Sequence, residues 1–327
     1  MEKVTWGIIG VGDVCEKKSA PAMQKIANSE IKSVMRRDLA KAADYAKRHQ
    51  VSHYTNDAEV IFNDPEINAI YIATPPSSHE ELALRAASVG KATYVEKPMA
   101  TNYNACLKMV TAFKEADLPL YIAYYRRALP NFLKIKELIE QKVIGDIRFV
   151  NVQLIQPLKD VDVVKDAENW RVDPKISGGG YFHDLAAHQL DFLDFLLGPI
   201  KTAKGITANQ AGLYHAEDIV SATWQFENDI IGNGTWCFTA SEIAGKEFTT
   251  IVGEKGKIEY ATFESSDVAL YTVQGGKQVF QFDMPEYIQQ PLIQSIVDEL
   301  RGVGTSPSTG ISAARTNYMM DLITENT

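Results

Sequence analysis

VTWGIIGVGDVC, residues 4–15, is an apolar run that breaks at a glycine turn and passes into helix-forming sequence. Whether that unit repeats decides the fold. It does. IKSVM (31–35) is followed by a helical pattern from Leu39 to about His49, with Asp38 as its N-cap. NAIYIAT (68–74) runs up to Pro75-Pro76 and is followed by a helix over 79–89 that Gly90 stops. A strand over 92–95 precedes a helix over 102–116, and LYIAYY (120–125) reads as a further strand. Buried apolar β-runs alternating with helices predict a parallel sheet covered on both faces. The expected class is α/β, with a doubly wound first domain over residues 1–124.

Beyond it the pattern changes. After a helix at about 130–141 and the turn Ile144-Gly145-Asp146, β-runs follow one another at roughly 147–156, 203–211, 217–227, 230–239, 247–253, 257–263, 268–274 and 278–283. Short turns join many of them, which predicts an α/β domain over 125–327 built on a large, mostly antiparallel open sheet. One strong helix is inserted at about 180–197. Helices at 288–301 and 310–324 close the chain, free to pack back on the first domain.

Composition bounds the function. A net charge of −9 argues against a nucleic-acid surface, which relies on clustered Lys and Arg. The three cysteines, Cys15, Cys106 and Cys237, lie far apart, with neither metal-ligand nor disulfide spacing, as suits a reducing cytosol. No apolar run approaches the roughly 20 residues of a membrane span. The chain enters a strand at once, so no signal peptide is expected. The expectation is a cytoplasmic protein with no metal.

The glycine turn, Gly10-x-Gly12-x-x-Cys15, follows a strand, precedes a helix and opens a βαβ unit. Gly10 permits a tight turn, and Gly12 lets the backbone of Gly12, Asp13 and Val14 approach a pyrophosphate. A tight βα turn with no ligand has the same local sequence, but the context favours a dinucleotide. The second strand ends VMRRD, about 22 residues beyond Cys15, where an acidic residue selects NAD and an arginine accommodates the 2′-phosphate of NADP. Arg36 and Arg37 occupy that place and Asp38 caps the next helix, so NADP is expected ahead of NAD.

SGGGYFHDLAAHQLDFLDFLLG (177–198) carries the most chemistry. At about 100° per residue, Ala186, Leu190, Leu193 and Leu197 share one face, and Asp184, His188 and Asp191 fall opposite within about 60° of each other. The helix is otherwise apolar nearly all round and should be buried. Its polar stripe therefore either pairs internally or lines a cleft. Gly178–Gly180 allow a close backbone approach or a sharp turn into the helix. Trp170-Arg171 just upstream offers a flat apolar surface and a cation, a combination suited to a sugar. His183 and His188, five apart with no carboxylate cluster, make a metal site poorly supported. In YVEKPMA (94–100) a buried strand ends at Glu96-Lys97, fixed by Pro98. Lys97 is then either a solvated edge residue or a cation aimed into a crevice.

GVGDVC, ATPPSSH (73–79), VEKP (95–98), YYRRALP (124–130), WRVDP (170–174) and GGGYFHDLAAHQLD (178–191) occur in this order across almost the whole chain. Together they resemble the glucose–fructose oxidoreductase / inositol dehydrogenase (Gfo/Idh/MocA) family of NAD(P)-dependent sugar oxidoreductases. The arginine-bearing second strand is similar to that of its 1,5-anhydrofructose reductase and dimeric dihydrodiol dehydrogenase branches. The resemblance implies a Rossmann domain and a C-terminal α/β domain whose open sheet mediates homodimers or homotetramers. It implies that Lys97 is the active-site lysine and that Asp184 and His188 form the substrate-binding and acid/base pair. Thr74, Pro75, His79 and Glu96 would lie near the nicotinamide and its ribose. Arg127, Trp170 and Arg171 would be cofactor- or substrate-side contacts, and Asp191 structural. Cys15 stands where the family usually has Gly or Ala, a small change.

Ligands of doubly wound sheets sit beyond the carboxyl ends of the strands, where Lys97 would lie. Hydride exchange at a carbinol carbon needs a matched proton movement at its oxygen. Either His188, oriented by Asp184, exchanges that proton while Lys97 polarises the oxygen, or the two exchange roles. The expected function is hydride transfer on a carbohydrate-like CH–OH or carbonyl group. The competing readings are a glycosidase working through transient oxidation by tightly held NAD, and a non-catalytic dinucleotide-binding regulator. Loops 155–170 and 209–216 are expected to set specificity.

Overall fold

The computed structural model describes residues 1–163 and 169–324. The chain forms two compact units, Met1–Ala128 with Pro285–Ala314, and Leu129–Met284 with the chain from Arg315 onward. Residues 285–314 thus return to the unit that the amino terminus begins. Among the described residues, no helix is long and apolar enough to cross a membrane.

The first unit holds a six-stranded sheet of β1 (Val4–Ile9), β2 (Ser29–Met35), β3 (His53–Thr55), β4 (Ala69–Ile72), β5 (Ala92–Val95) and β6 (Leu120–Ile122), in the order β3-β2-β1-β4-β5-β6. Every pairing is parallel. Strands β1, β4, β5 and β6 are buried along their whole length, as expected for a sheet with helices on both faces. The order reverses between β1 and β4, so the glycine turn after β1 lies at the topological switch point. Asp38 caps the helix Leu39–Arg48 by accepting from the Lys41 N–H at 3.1 Å.

Three local differences from the sequence reading have physical causes. Strand β3 and the helix Ala58–Phe62 were not anticipated, because His53-Tyr54-Thr55 is a largely exposed polar edge with no apolar signal. The strand expected over 120–125 stops at Ile122, because its partner β5 ends at Val95, opposite Ile122. Residues Tyr125–Ala128 then form a tight helical turn. Finally, the inserted helix opens with a wide turn over Phe182–Ala186 before the regular helix Ala187–Leu197.

The second unit holds an eight-stranded sheet. Its strands are β7 (Ile147–Pro157), β8 (Ile200–Ala208), β9 (Ile219–Phe226), β10 (Ile231–Ala240), β11 (Lys246–Gly253), β12 (Gly256–Tyr260), β13 (Val268–Thr272) and β14 (Gly276–Phe280), ordered β14-β13-β12-β11-β7-β10-β9-β8. It is antiparallel except where β7 meets β10. Its inner face buries Val150, Val152, Leu154, Val220, Trp224, Trp236, Ile251 and Ile258. The helix Ala187–Leu197 and the helix Pro130–Glu140 pack there. Phe192 lies edge-on to Phe132 at 4.6 Å and to Tyr260 at 5.9 Å, while Gln189 accepts from the Trp236 indole N–H at 2.7 Å. The outer face leaves Phe149, Ile206 and Ile231 exposed.

Phe192 is 1% exposed and links its own helix to the helix Pro130–Glu140 and to β12. Phe192→Ala should therefore cost the second unit about 3–5 kcal/mol. Equilibrium urea unfolding, followed by tryptophan fluorescence of Trp224 and Trp236, measures that loss.

Candidate active site

The glycine turn of the first unit is locked to the end of β2. The N–H groups of Gly10 and Val11 both donate to the Met35 carbonyl, at 2.9 and 3.1 Å. Gly10 has a φ of +96°, and a Cβ there would come within 2.6 Å of the Thr74 methyl group. A Cβ on Gly12 would meet nothing within 4 Å. One glycine is thus demanded by the chain itself, whereas the other keeps an open face at the switch point. That open face fits a dinucleotide's phosphates. Asp13 is exposed and Val14 half-buried beside it. Cys15 is fully buried, and burial pushes its thiol up to about 12, so it is an inert filler.

At the end of β2 the Arg36 guanidinium donates to the Val11 carbonyl at 3.1 Å. The second arginine, Arg37, is exposed. The Asp38 carboxyl is held below its usual range, first by the Lys41 N–H it caps.

Beyond β4, Thr74 accepts from Ser78 Oγ at 2.8 Å, and its carbonyl faces His79 Nε2 at 2.8 Å. The other ring nitrogen, Nδ1, faces the carbonyls of Pro98 and Met99 at 3.1 and 3.2 Å. His79 is fully buried, and burial lowers its pKa. It therefore braces the loop after β5 against the end of β4. Pro75 is half-buried at the start of that turn.

Glu96 is 6% exposed, and its carboxylate is fully engaged. Oε1 accepts from the Tyr71 hydroxyl and from Gln289 Nε2, both at 2.7 Å, and Oε2 accepts from the Lys97 N–H at 3.2 Å. Gln289 in turn accepts from the Tyr94 hydroxyl at 2.9 Å, and the Tyr71 and Tyr94 rings stack at 4.8 Å. Lys97 is half-buried at the carboxyl end of β5, and its peptide bond to Pro98 is cis. Arg127 is buried, donating to the Pro307 carbonyl at 2.9 Å and to Ser312 Oγ at 3.1 Å. The structure therefore ties Arg127 to the returning segment 285–314. Gln289 is the residue the sequence reading missed: it lies in that segment, far from any motif.

In the second unit, Asn169 accepts from the Arg171 N–H at 3.2 Å. The Arg171 guanidinium lies 4.5 Å from the Trp170 ring centroid and pairs with Asp184 at 3.3 Å. His188 is buried, edge-on to Phe263 with 6.0 Å between ring centroids. Asp191 is buried and accepts from the Thr316 hydroxyl at 3.3 Å. The two loops expected to set specificity converge on Tyr181. Its hydroxyl donates to Asp162 at 2.9 Å, Lys159 lies 3.9 Å from its ring centroid, and Tyr214 packs edge-on at 6.4 Å. Positions 164–168 of the first loop lie outside the described residues.

The glycine triplet has a local reason. A Cβ on Gly179 would sit 2.0 Å from His183 Nδ1, the atom that faces the Gly179 carbonyl at 3.2 Å. His183, fully buried, is lowered by burial to about 4. No group of metal-ligating side chains occurs among the described residues.

The family described as "Oxidoreductase family, NAD-binding Rossmann fold" matches residues 4–124, and the "GFO/IDH/MocA C-terminal domain" matches residues 132–259. An oxidoreductase of Formosa agariphila is 39% identical over 320 residues, 98% of either chain. The NADP(+) D-xylose 1-dehydrogenase of Haloarcula marismortui is 29% identical, over 84% of this chain and 78% of its own. Levoglucosan dehydrogenase, solved with NADH and levoglucosan, shares the fold with a TM-score of 0.88 at 21% identity, over 99% of this chain and 97% of its own. The chain belongs to the GFO/IDH/MocA oxidoreductase family.

His183 gives a pH signature. Its ordinary value of 6.5 applies to the unfolded chain, which takes up the proton first as pH falls. The neutral ring's contribution is complete above 6.5 and is lost on the way down to about 4. Loss of roughly 3 kcal/mol across that window is expected in the second unit. Urea unfolding at stepped pH should show a steeper decline for the native protein than for His183→Gln.

Proposed function

We propose that the protein is an NADP-preferring oxidoreductase that exchanges a hydride with a CH–OH or carbonyl group of a sugar-like substrate. The observation that carries this reading is the position of Lys97. It leaves the carboxyl end of β5, two strands from the open glycine turn at the end of β1, on the edge where doubly wound sheets take ligands. The xylose dehydrogenase's named NADP and the levoglucosan dehydrogenase's sugar ligand support the choice of cofactor and substrate class.

The turn Gly10, Gly12, Asp13, Val14 would hold the cofactor's phosphates, and Thr74, Pro75, His79 and Glu96 would border its nicotinamide side. Arg36 and Arg37 would take the 2′-phosphate. Asp38 is committed to its helix cap, which favours NADP over NAD. When bound, the nicotinamide supplies the hydride acceptor or donor.

The chain's own groups handle the oxygen. In the second unit His188, oriented by Asp184, would exchange the proton, and in the first unit Lys97 would polarise a substrate oxygen and stabilise alkoxide character. The Arg171 guanidinium, 3.3 Å from the Asp184 carboxylate, would hold it in place. Trp170 and Arg171 offer the ring and the cation for a sugar face. Homodimers or homotetramers would form through the outer sheet face that exposes Phe149, Ile206 and Ile231. The protein would act in the cytoplasm.

Calorimetric titration tests the cofactor: NADPH should bind at least about tenfold tighter than NADH, a preference that Arg36→Ala and Arg37→Ala together remove. Equal affinities would mean that the arginines are only solvated. In sugar oxidation assays Lys97→Ala and His188→Ala should each slow turnover by about a hundredfold or more. A loss of only a few-fold in both would overturn the mechanism.

A further inference from the structure

Glu247, in the second unit, is a carboxylate that is only 8% exposed and has no part in the chemistry proposed above. Glu247, Thr249 and Ile251 alternate along β11 and all three are buried, so they share the inner face of the sheet, where the inserted helix packs. The ladder between β11 and β12 ends at the pair Thr249 and Tyr260. The chain beyond Tyr260 therefore leaves its strand partner beside Glu247, and the carboxylate takes that partner's place. Oε1 accepts from the Thr262 N–H, and Oε2 accepts from the N–H groups of Phe263 and Glu264, both at 3.0 Å. Successive backbone N–H groups turned toward one point form a concavity that holds an anion. Here the protein's own side chain fills it.

The turn held in this way carries Phe263. Its ring stands edge-on to His188, with 6.0 Å between centroids and 71° between planes, the geometry of a favourable aromatic pair. One helical turn further along, Phe192 meets Tyr260 at 5.9 Å. His188 and Phe192 are four residues apart in the helix Ala187–Leu197 and share a face of it. Residues 260–263 thus run along that face and touch it at both positions. Tyr260 is fixed by the β12 ladder. Phe263 lies beyond the ladder, on the stretch whose backbone the Glu247 carboxylate holds.

We infer that Glu247 is a positioning residue for His188, acting through Phe263. The carboxylate fixes the turn, the turn fixes the Phe263 ring, and the ring sets the plane of the imidazole. This rests on the reading of His188 as the group that exchanges the substrate proton. A general acid or base must present its nitrogen within hydrogen-bond reach of the reacting oxygen. A small misplacement caused outside the site then lowers the rate of the chemical step. Holding a functional ring by a neighbour that is itself locked by hydrogen bonds is how such precision is kept.

The test reads the imidazole directly and needs no substrate. Protein labelled with carbon-13 at histidine Cε1 gives a proton resonance for His188, assigned by its loss in His188→Ala, and the Phe263 ring current acts on it. Phe263→Leu should move that resonance. Glu247→Gln, which sets an amide donor against backbone N–H groups, should move it in the same direction. In sugar oxidation assays Glu247→Gln should lower kcat about tenfold with KM nearly unchanged. It should add nothing to the loss already present in Phe263→Leu, because the two act along one path. A His188 resonance that keeps its native position in Glu247→Gln overturns the inference. So do losses that multiply in the double variant, the pattern of plain destabilisation. If Glu247→Gln does not fold, Phe263→Leu decides alone: a native resonance or native kcat there overturns the inference, and a shifted resonance with reduced kcat supports it. Undiminished sugar turnover by His188→Ala would instead sink the reading of His188, whatever the resonances show.

Discussion

A carboxylate taken out of water must find donors, and Glu96 is where that constraint acts on this fold. Breaking a buried charged network by removing one partner costs about 3–5 kcal/mol. Glu96 avoids that penalty by accepting from Tyr71 on β4, from the backbone of Lys97, and from Gln289 in the segment that returns from the far end of the chain. The last bond has a topological consequence. It gives residues 285–314 a polar reason to belong to the first unit, alongside the packing of Leu292, Ile293 and Ile296. It also fixes the backbone from which Lys97 projects, so an arrangement inside the sheet defines the position of a side chain at its edge.

The parts of this structure legible in the sequence depend on short-range rules. Strand β5 is a four-residue apolar run ended by Glu-Lys-Pro, and the structure bounds it at Ala92–Val95 as read. The Asp38 cap followed from one residue before a helical period, and the antiparallel half from closely spaced β-runs. Long-range partners were not legible. Nothing near Gln289 signals that it meets Glu96 and Tyr94, because the contact spans 193 residues to Glu96. The edge strand His53–Thr55 was hidden for the opposite reason: it is polar, short and largely solvent-facing.

The polar stripe of the inserted helix shows how one local irregularity changes a periodic argument. Asp184, His188 and Asp191 share a face only if every residue turns by about 100°. The wide turn over Phe182–Ala186 interrupts that period just where Asp184 sits. Such turns, which place an extra residue in one helical turn, recur at functional sites because they re-aim a side chain. Here Asp184 reaches Arg171, while Asp191, on the regular part of the helix, is buried against Thr316. The stripe therefore divides into a partly buried end with an arginine partner and a buried end that ties down the last helix. Identical residue types in one pattern serve different ends because the backbone beneath them differs.

Charge must likewise be read by place. A net −9 describes the whole chain, yet the carboxyl edge of the first sheet gathers the opposite sign. Lys18, Arg36, Lys97 and Arg126 follow the ends of β1, β2, β5 and β6, and all these strands run parallel. Two acidic residues near this edge are already bonded, Asp38 to a helix N-terminus and Glu96 to Tyr71 and Gln289, while Asp13 is exposed in the glycine turn. Glu96 finds its donors in a hydroxyl, an amide and a backbone N–H. A fold-wide negative charge and a positive edge are therefore compatible, because the field at a site depends on groups within about a Debye length and on what each already bonds.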